Sequence, residues 1–199
     1  MSYIASSAGI SRQALYLHFA NRTELLIATT HYIDRKKDID HRLALSRGAS
    51  SGLERLEAFV DAWGNYIPEI YGVANALIVM GVTDESARQA WTGRLAAVRE
   101  GCEAIILTLC REDQLSDTVN PTEATDILCA HLSVETWRYL RHTRGWNQTR
   151  YLEVMQQTLR NTLVRLPTFA SANAKLRHLL DEQRPYFIDQ PLIGPRGRT

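Results

Sequence analysis

The fold is decided by residues 2–26, which read SYIASSAGISRQALYLHFANRTELL. Ala5 lies on the apolar face of a short first helix and is small enough to let another helix approach. Gly9 can adopt the left-handed backbone that a sharp turn requires. Ser11 can cap a second short helix, which Leu15 would anchor to the core. The stretch therefore predicts a helix-turn-helix unit.

The second helix leaves a mixed set of side chains facing outward. Arg and Gln can make bidentate hydrogen bonds to base edges in the major groove of DNA, and hydroxyl groups can bond to phosphates. A plain helical hairpin within a core is the alternative, but the helix-turn-helix pattern is matched along its whole length. The predicted outward-facing residues are Arg12, Gln13, Ala14, Tyr16, Leu17 and His18.

The same stretch resembles the DNA-binding signature of the TetR (tetracycline-repressor) family. The matching runs are Ala8-Gly9-Ile10-Ser11, Leu15-Tyr16-Leu17-His18-Phe19 and Asn21-Arg22-Thr23-Glu24-Leu25-Leu26. The match covers about 25 residues and is specific. The remainder of the chain agrees with the family only in the number and length of its helices.

The resemblance implies roles for individual positions. Contacts with phosphate are implied for Ser11, Tyr16 and Arg22. Candidates for base readout are Arg12, Gln13 and Leu17, and His18 would touch either phosphate or the core. The family has one more helix before this motif, whereas this sequence starts at Met1 within the equivalent of the second helix. We therefore expect the chain to bind DNA weakly or its first 20 residues to be mobile.

The charge of the chain differs between its N-terminal segment and the remainder. Residues 1–47 hold seven Lys or Arg and four acids, whereas residues 48–199 hold sixteen and eighteen, so the front is basic. This distribution fits a nucleic-acid-binding module attached to a larger body. We predict an all-α protein, with a helix-turn-helix domain and connecting helix at 1–46, an effector-binding and dimerisation domain at 47–167, and a C-terminal helix with a flexible tail at 168–199.

Apolar spacing and capping residues predict the helices of the body. Caps are expected at Asn21, Ser51 and Asn120, the last followed by proline at the first helical position. Pro68 is expected to end a helix. The predicted helices span about 22–46, 52–67, 69–80, 84–111, 121–143 and 147–166, with a further helix over 170–183.

A pocket for a small apolar or aromatic effector is expected among the helices of the body. Aromatic side chains with a few polar tips suit such a ligand, although core packing is the favoured explanation for any one of these residues. His131 lies on an apolar stripe, where either Glu135 or a ligand could satisfy it. The candidate lining residues are Trp63, Tyr66, Tyr71, Asn75, Met80, Trp91 and His131.

The resemblance also implies a homodimer, whose interface would be built by the last two long helices. The candidate interface residues are Trp137, Tyr151, Met155 and Leu159, and burial in the monomer core is the alternative. In the family, ligand binding moves the connecting helix and changes the spacing of two recognition helices, which must fit half-sites roughly 34–36 Å apart.

Other classes of protein receive little support from the sequence. We find no apolar run of membrane-spanning length, no signal peptide, no phosphate loop and no nucleophile elbow, and the three cysteines lack zinc-ligand spacing. We therefore expect a cytoplasmic regulator without a catalytic, metal or cofactor site and without a membrane partner. A helical ligand-binding dimer that no longer binds operator DNA stays open as an alternative, as does activation in place of repression.

Overall fold

Helices form almost all of the part of the chain that the computed structural model describes, residues 1–165. In chain order they are α1 Ser2–Ser7, α2 Arg12–His18, α3 Arg22–Lys37, α4 Ile39–Arg47, α5 Gly52–Met80, α6 Glu85–Arg111, α7 Pro121–His131, α8 Val134–Arg138 and α9 Gln148–Leu163. A π-helical turn, Tyr139–Thr143, follows α8 directly. The all-α prediction is confirmed, and the predicted C-terminal helix and tail at 168–199 lie outside the described residues.

The predicted helix starts are confirmed at three positions. Asn21, Ser51 and Asn120 each cap a helix, and each side chain accepts a hydrogen bond from the backbone N–H three residues later. Glu123 also accepts a hydrogen bond from the Asn120 backbone at 3.0 Å, which completes a capping box. These starts depend on local residues alone, so they could be read from the sequence.

The connecting helix is divided, contrary to the prediction of one helix over 22–46. Asp38 adopts the left-handed conformation, with φ 49° and ψ 52°, and ends α3. Its carboxylate accepts a hydrogen bond from the backbone N–H of His41 and starts α4. The apolar period continues through this point, so it gave no sign of the break.

Pro68 does not end a helix, and the prediction of two helices over 52–80 is wrong. Helix α5 continues through Pro68 from Gly52 to Met80. A proline inside a helix leaves the carbonyl four residues earlier without its N–H donor. That carbonyl belongs to Gly64, and the side-chain amide of Gln148 in α9 donates to it at 3.0 Å. A tertiary hydrogen bond thus replaces the missing backbone one.

The predicted helix over 121–143 is interrupted at Leu132 and Ser133. Ser133 caps α8 by accepting a hydrogen bond from the Thr136 backbone at 3.1 Å. The carbonyl of Leu132 accepts a hydrogen bond from the indole Nε1 of Trp63 at 3.1 Å. The break therefore supplies a buried tryptophan with the acceptor that its N–H needs.

Helix α5 is central to the body and packs against α3, α4, α6, α8 and α9. Its inward face carries fully buried residues such as Val60 and Ile67, which belong to one continuous core. A Cβ added at Gly64 would lie 2.6 Å from Cδ2 of Leu152, so glycine permits the close approach of α9. Across residues 1–165, none of the helices combines the length and apolar character needed to cross a membrane.

Candidate DNA-reading helix and ligand cavity

The short helix α2 follows a tight turn after α1. Gly9 has φ +67°, the left-handed conformation expected for this turn. The hydroxyl of Ser11 caps α2 by accepting a hydrogen bond from the Ala14 backbone at 3.0 Å. Leu15 is buried and fixes the inner face of α2. The remaining side chains of α2 are thereby turned toward solvent.

The outer face of α2 carries the residues proposed to read DNA. Leu17 is 82% exposed, and the guanidinium of Arg12 lies 5.4 Å from the ring centroid of Tyr16. An exposed leucine on a helix that also presents an arginine suits contact with a thymine methyl group. The exposed residues are Ser11, Arg12, Gln13, Tyr16, Leu17, His18 and Arg22, and Ala14 is half-buried.

A cavity of about 220 Å³ lies in the body between α5, α6 and the α7–α8 junction. Trp63 and Trp91 line it, as the sequence indicated. The other lining residues were missed by the sequence reasoning and are Arg94, Leu95, Val98, Arg99, Cys129, Leu132, Ser133 and Val134. Arg94 follows Trp91 by one helical turn, and this spacing could have placed it at the cavity.

The other predicted pocket residues lie elsewhere. Tyr71 packs against the rings of Trp137 and His142, with centroids 5.1 Å away in both cases. Asn75 is exposed and Met80 ends α5. His131 bonds to the carbonyl of Ile127, at 2.8 Å from Nδ1, so Glu135 is not its partner. Tyr66 is fully buried and belongs to the polar cluster described next.

A polar cluster joins the cavity wall to the connecting helix α3. The guanidinium of Arg94 in α6 donates to both carboxylate oxygens of Asp34 in α3, with Nη1 to Oδ2 at 2.8 Å. The hydroxyl of Tyr66 in α5 donates to the same carboxylate. The cluster therefore links α3, α5 and α6.

The cluster holds Asp34 ionised. Burial alone would raise the pKa of Asp34, but the hydrogen bonds from Arg94 and Tyr66 and the charge of Arg94 outweigh it, and the pKa lies below its ordinary value. Burial, reinforced by the carboxylate, raises the pKa of Tyr66, which stays a hydrogen-bond donor at neutral pH. Apart from Nε of Arg94, these groups hydrogen-bond to one another, as in a binding or structural network.

The four residues predicted for a dimer interface lie inside the monomer. All are buried within the single chain, and their assignment to a dimer interface stays a prediction. The indole of Trp137, for example, donates to Oε1 of Gln148 at 3.0 Å. The four are Trp137, Tyr151, Met155 and Leu159.

A helix-turn-helix at the front of an all-helical body is an arrangement typical of DNA-binding transcription regulators. Residues 1–29 match the family model for bacterial regulatory proteins of the tetR family. No curated protein sequence matches the chain. The resemblance drawn from the sequence is confirmed, and the chain carries the N-terminal motif of the TetR family on a TetR-type fold.

Solved TetR-type structures share this fold at low sequence identity. A TetR-family transcriptional regulator from Rhodococcus sp. is 20% identical, with a TM-score of 0.59 over 81% of this chain and 86% of that one. The regulator FadR from Bacillus subtilis, in complex with stearoyl-CoA, is 15% identical, with a TM-score of 0.60 over 81% and 87%. A ketosteroid transcriptional regulator of Mycobacterium tuberculosis is 16% identical, with a TM-score of 0.58 over 83% and 84%.

Proposed function

We propose that this protein is a cytoplasmic, homodimeric DNA-binding repressor that a small apolar or aromatic effector releases from its operator. The observation that carries the proposal is the link between two sites. Helix α2 exposes groups suited to DNA, and α3, which follows it, is held by a residue of the cavity wall, Arg94. Binding in the cavity can therefore act on the position of the DNA-reading helix.

The DNA-reading role rests on the chemistry of the outer face of α2. Arg12 and Gln13 can make bidentate contacts with guanine and adenine edges. Ser11 and Tyr16 carry hydroxyls that can donate to phosphate, and Arg22 lies exposed in the first turn of α3. Phosphate contacts set the register of the helix on DNA, and base contacts give the sequence preference.

The effector role rests on the cavity and its tryptophans. Trp63 and Trp91 make its wall suited to apolar or aromatic ligands. Two proteins of the same fold are a regulator in complex with stearoyl-CoA and a ketosteroid transcriptional regulator, which supports an apolar effector. The polar groups next to the cavity hydrogen-bond to one another, which favours binding over catalysis.

The test of DNA reading is selection of binding sites from random duplexes, followed by titration of the selected sequence. Arg12→Ala and Gln13→Ala should each cost about 1–3 kcal/mol at a contacted base pair and relax the preference there. Arg22→Ala is the matched control, because loss of a phosphate contact should weaken all duplexes alike and lower the salt slope by about one.

The alternative is a helical ligand-binding dimer that does not bind DNA. It would be favoured if the selection enriched no sequence and if Arg12→Ala left duplex binding unchanged. Selected sites with two related half-sites roughly 34–36 Å apart would instead support a dimeric reader.

A further inference from the structure

Two arginines line a cavity whose other lining residues are mainly apolar. Arg94 and Arg99 both contribute to its wall, and none of its lining residues is an Asp or a Glu. Arg99 pairs with Asp126 and is about half exposed, whereas the Arg94 side chain is only 18% exposed. A shielded cation beside aromatic and aliphatic side chains is suited to an apolar molecule that carries an anionic group.

Arg94 already binds one carboxylate, which shows the geometry that it accepts. Its two terminal nitrogens face the two oxygens of Asp34, in the paired arrangement that guanidinium groups form with carboxylates. The Nε–H of Arg94 is buried and has no acceptor among residues 1–165. The hydrogen-bonding capacity of Arg94 is therefore not exhausted by Asp34 and Tyr66.

We propose that the effector is a compact aromatic carboxylic acid whose carboxylate binds Arg94 in competition with Asp34. The proposal rests on the proposed function, since it names the ligand class for the same cavity. At roughly 30 Å³ for one water of the liquid, the cavity of about 220 Å³ corresponds to about seven waters. This volume suits a ligand of one or two rings packed beside Trp63 and Trp91.

Competition for Arg94 explains how the ligand acts on α3. A ligand shifts an equilibrium only by its different affinities for the two states. An acid binds best when Arg94 is free of Asp34, so it favours the state in which this contact between α3 and α6 is broken. A neutral molecule of the same shape gains nothing from that state.

The test compares acids with their neutral amides by isothermal titration calorimetry on the full chain without DNA. The probes are 1-naphthoate with 1-naphthamide, and phenylacetate with phenylacetamide. We expect at least one acid to bind about tenfold or more tightly than its amide, the ratio set by one charge-assisted hydrogen bond. Arg94→Gln should abolish this preference.

Asp34→Asn separates competition for Arg94 from a structural role of Asp34. Removal of the competing carboxylate should tighten binding of the acid several-fold and leave binding of the amide unchanged. A purely structural role of Asp34 would weaken both. The control is Arg88→Gln, because Arg88 is on the same helix α6, pairs with Glu85 at the surface and does not line the cavity.

Three outcomes would overturn the proposal: no heat from either acid at millimolar concentration, equal affinity for acid and amide, or weaker binding of the acid to Asp34→Asn. Circular dichroism checks that Arg94→Gln is folded, and Asp34→Asn decides the question if it is not. Because no DNA is present, failure to bind an operator would contradict the proposed function without changing this result.

Discussion

Gln148 shows how one side chain can make an unfavourable residue tolerable in another helix. Its amide nitrogen donates to the Gly64 carbonyl that Pro68 leaves without a backbone donor, and its amide oxygen accepts from the indole of Trp137. Both bonds are 3.0 Å long and join α9 to α5 and α8. The side chain therefore satisfies polar groups of two buried residues, Gly64 and Trp137.

Gln148→Leu keeps the approximate size of the side chain and removes both bonds. Two groups left without partners at roughly 1–3 kcal/mol each should lower the free energy of unfolding by about 2–6 kcal/mol. Urea denaturation measures this change. Gln157→Leu is the matched control, since Gln157 lies exposed on the same helix, and its effect should be small.

Pro68→Ala provides an internal check on the same explanation. It restores an N–H that can bond to Gly64, so it should recover part of the stability lost in Gln148→Leu. A double-mutant cycle that gives no coupling between the two positions, within about 0.5 kcal/mol, would contradict the account.

At the scale of the helix, the sequence predicted where several helices start but not where they are interrupted. Asn120 and Glu123 predict the start of a helix because both residues of the capping box lie within one helical turn. The break at Leu132 depends on Trp63, a residue of another helix, and the continuity of α5 depends on Gln148, eighty residues after Pro68. Contacts with residues distant in the sequence determine where these helices break or continue. The periodicity of apolar residues carries no information about such contacts.

Asp38 separates α3 from α4, and its conformation leads to a prediction. An aspartate or asparagine tolerates φ 49° better than a β-branched residue does. Asp38→Asn should leave the free energy of unfolding within about 0.5 kcal/mol, because it keeps both the conformation and an oxygen for the His41 backbone.

Asp38→Val should cost more than about 2 kcal/mol, since it adds left-handed strain and removes the cap. Thermal unfolding of both variants measures the difference. Equal stability of the two variants would show that Asp38 does not impose the break.

Across the described part of the molecule, α3 is tied to α6 at two separate points, and its last residue, Lys37, also pairs with Glu69 of α5 at 3.3 Å. Near its start, the buried hydroxyl of Thr23 donates to Asp84, which also caps α6, and near its end Asp34 binds Arg94. The sequence predicted the helix-turn-helix unit because its motif is contiguous. It could not predict the two ties to α6, because each joins residues about sixty positions apart.

Thr23→Val should loosen α3 while preserving the size of the side chain. Loss of a hydrogen bond to a carboxylate should cost about 1–2 kcal/mol locally. Amide hydrogen exchange in α3 should speed up, and exchange in the centre of α5 should not change. Thr29→Val is the control, because the Thr29 hydroxyl bonds within α3, to the Leu25 carbonyl at 2.7 Å. Equal effects of the two substitutions would refute the tie to Asp84.

The contacts of α3 with α5 and α6 limit the way in which this helix can move. Thr23 and Asp34 are eleven residues apart, or about 16 Å along the helix axis. If the contacts of Asp34 with Arg94 and of Lys37 with Glu69 are released while that of Thr23 with Asp84 is kept, α3 can rotate about Thr23. A displacement of about 2 Å at Asp34 then tilts α3 by roughly 7°. Because α2 lies just before Thr23, the proposed DNA-reading helix would change its orientation more than its position. The proposed dimer would then lose its alignment with DNA through a change of angle more than of distance.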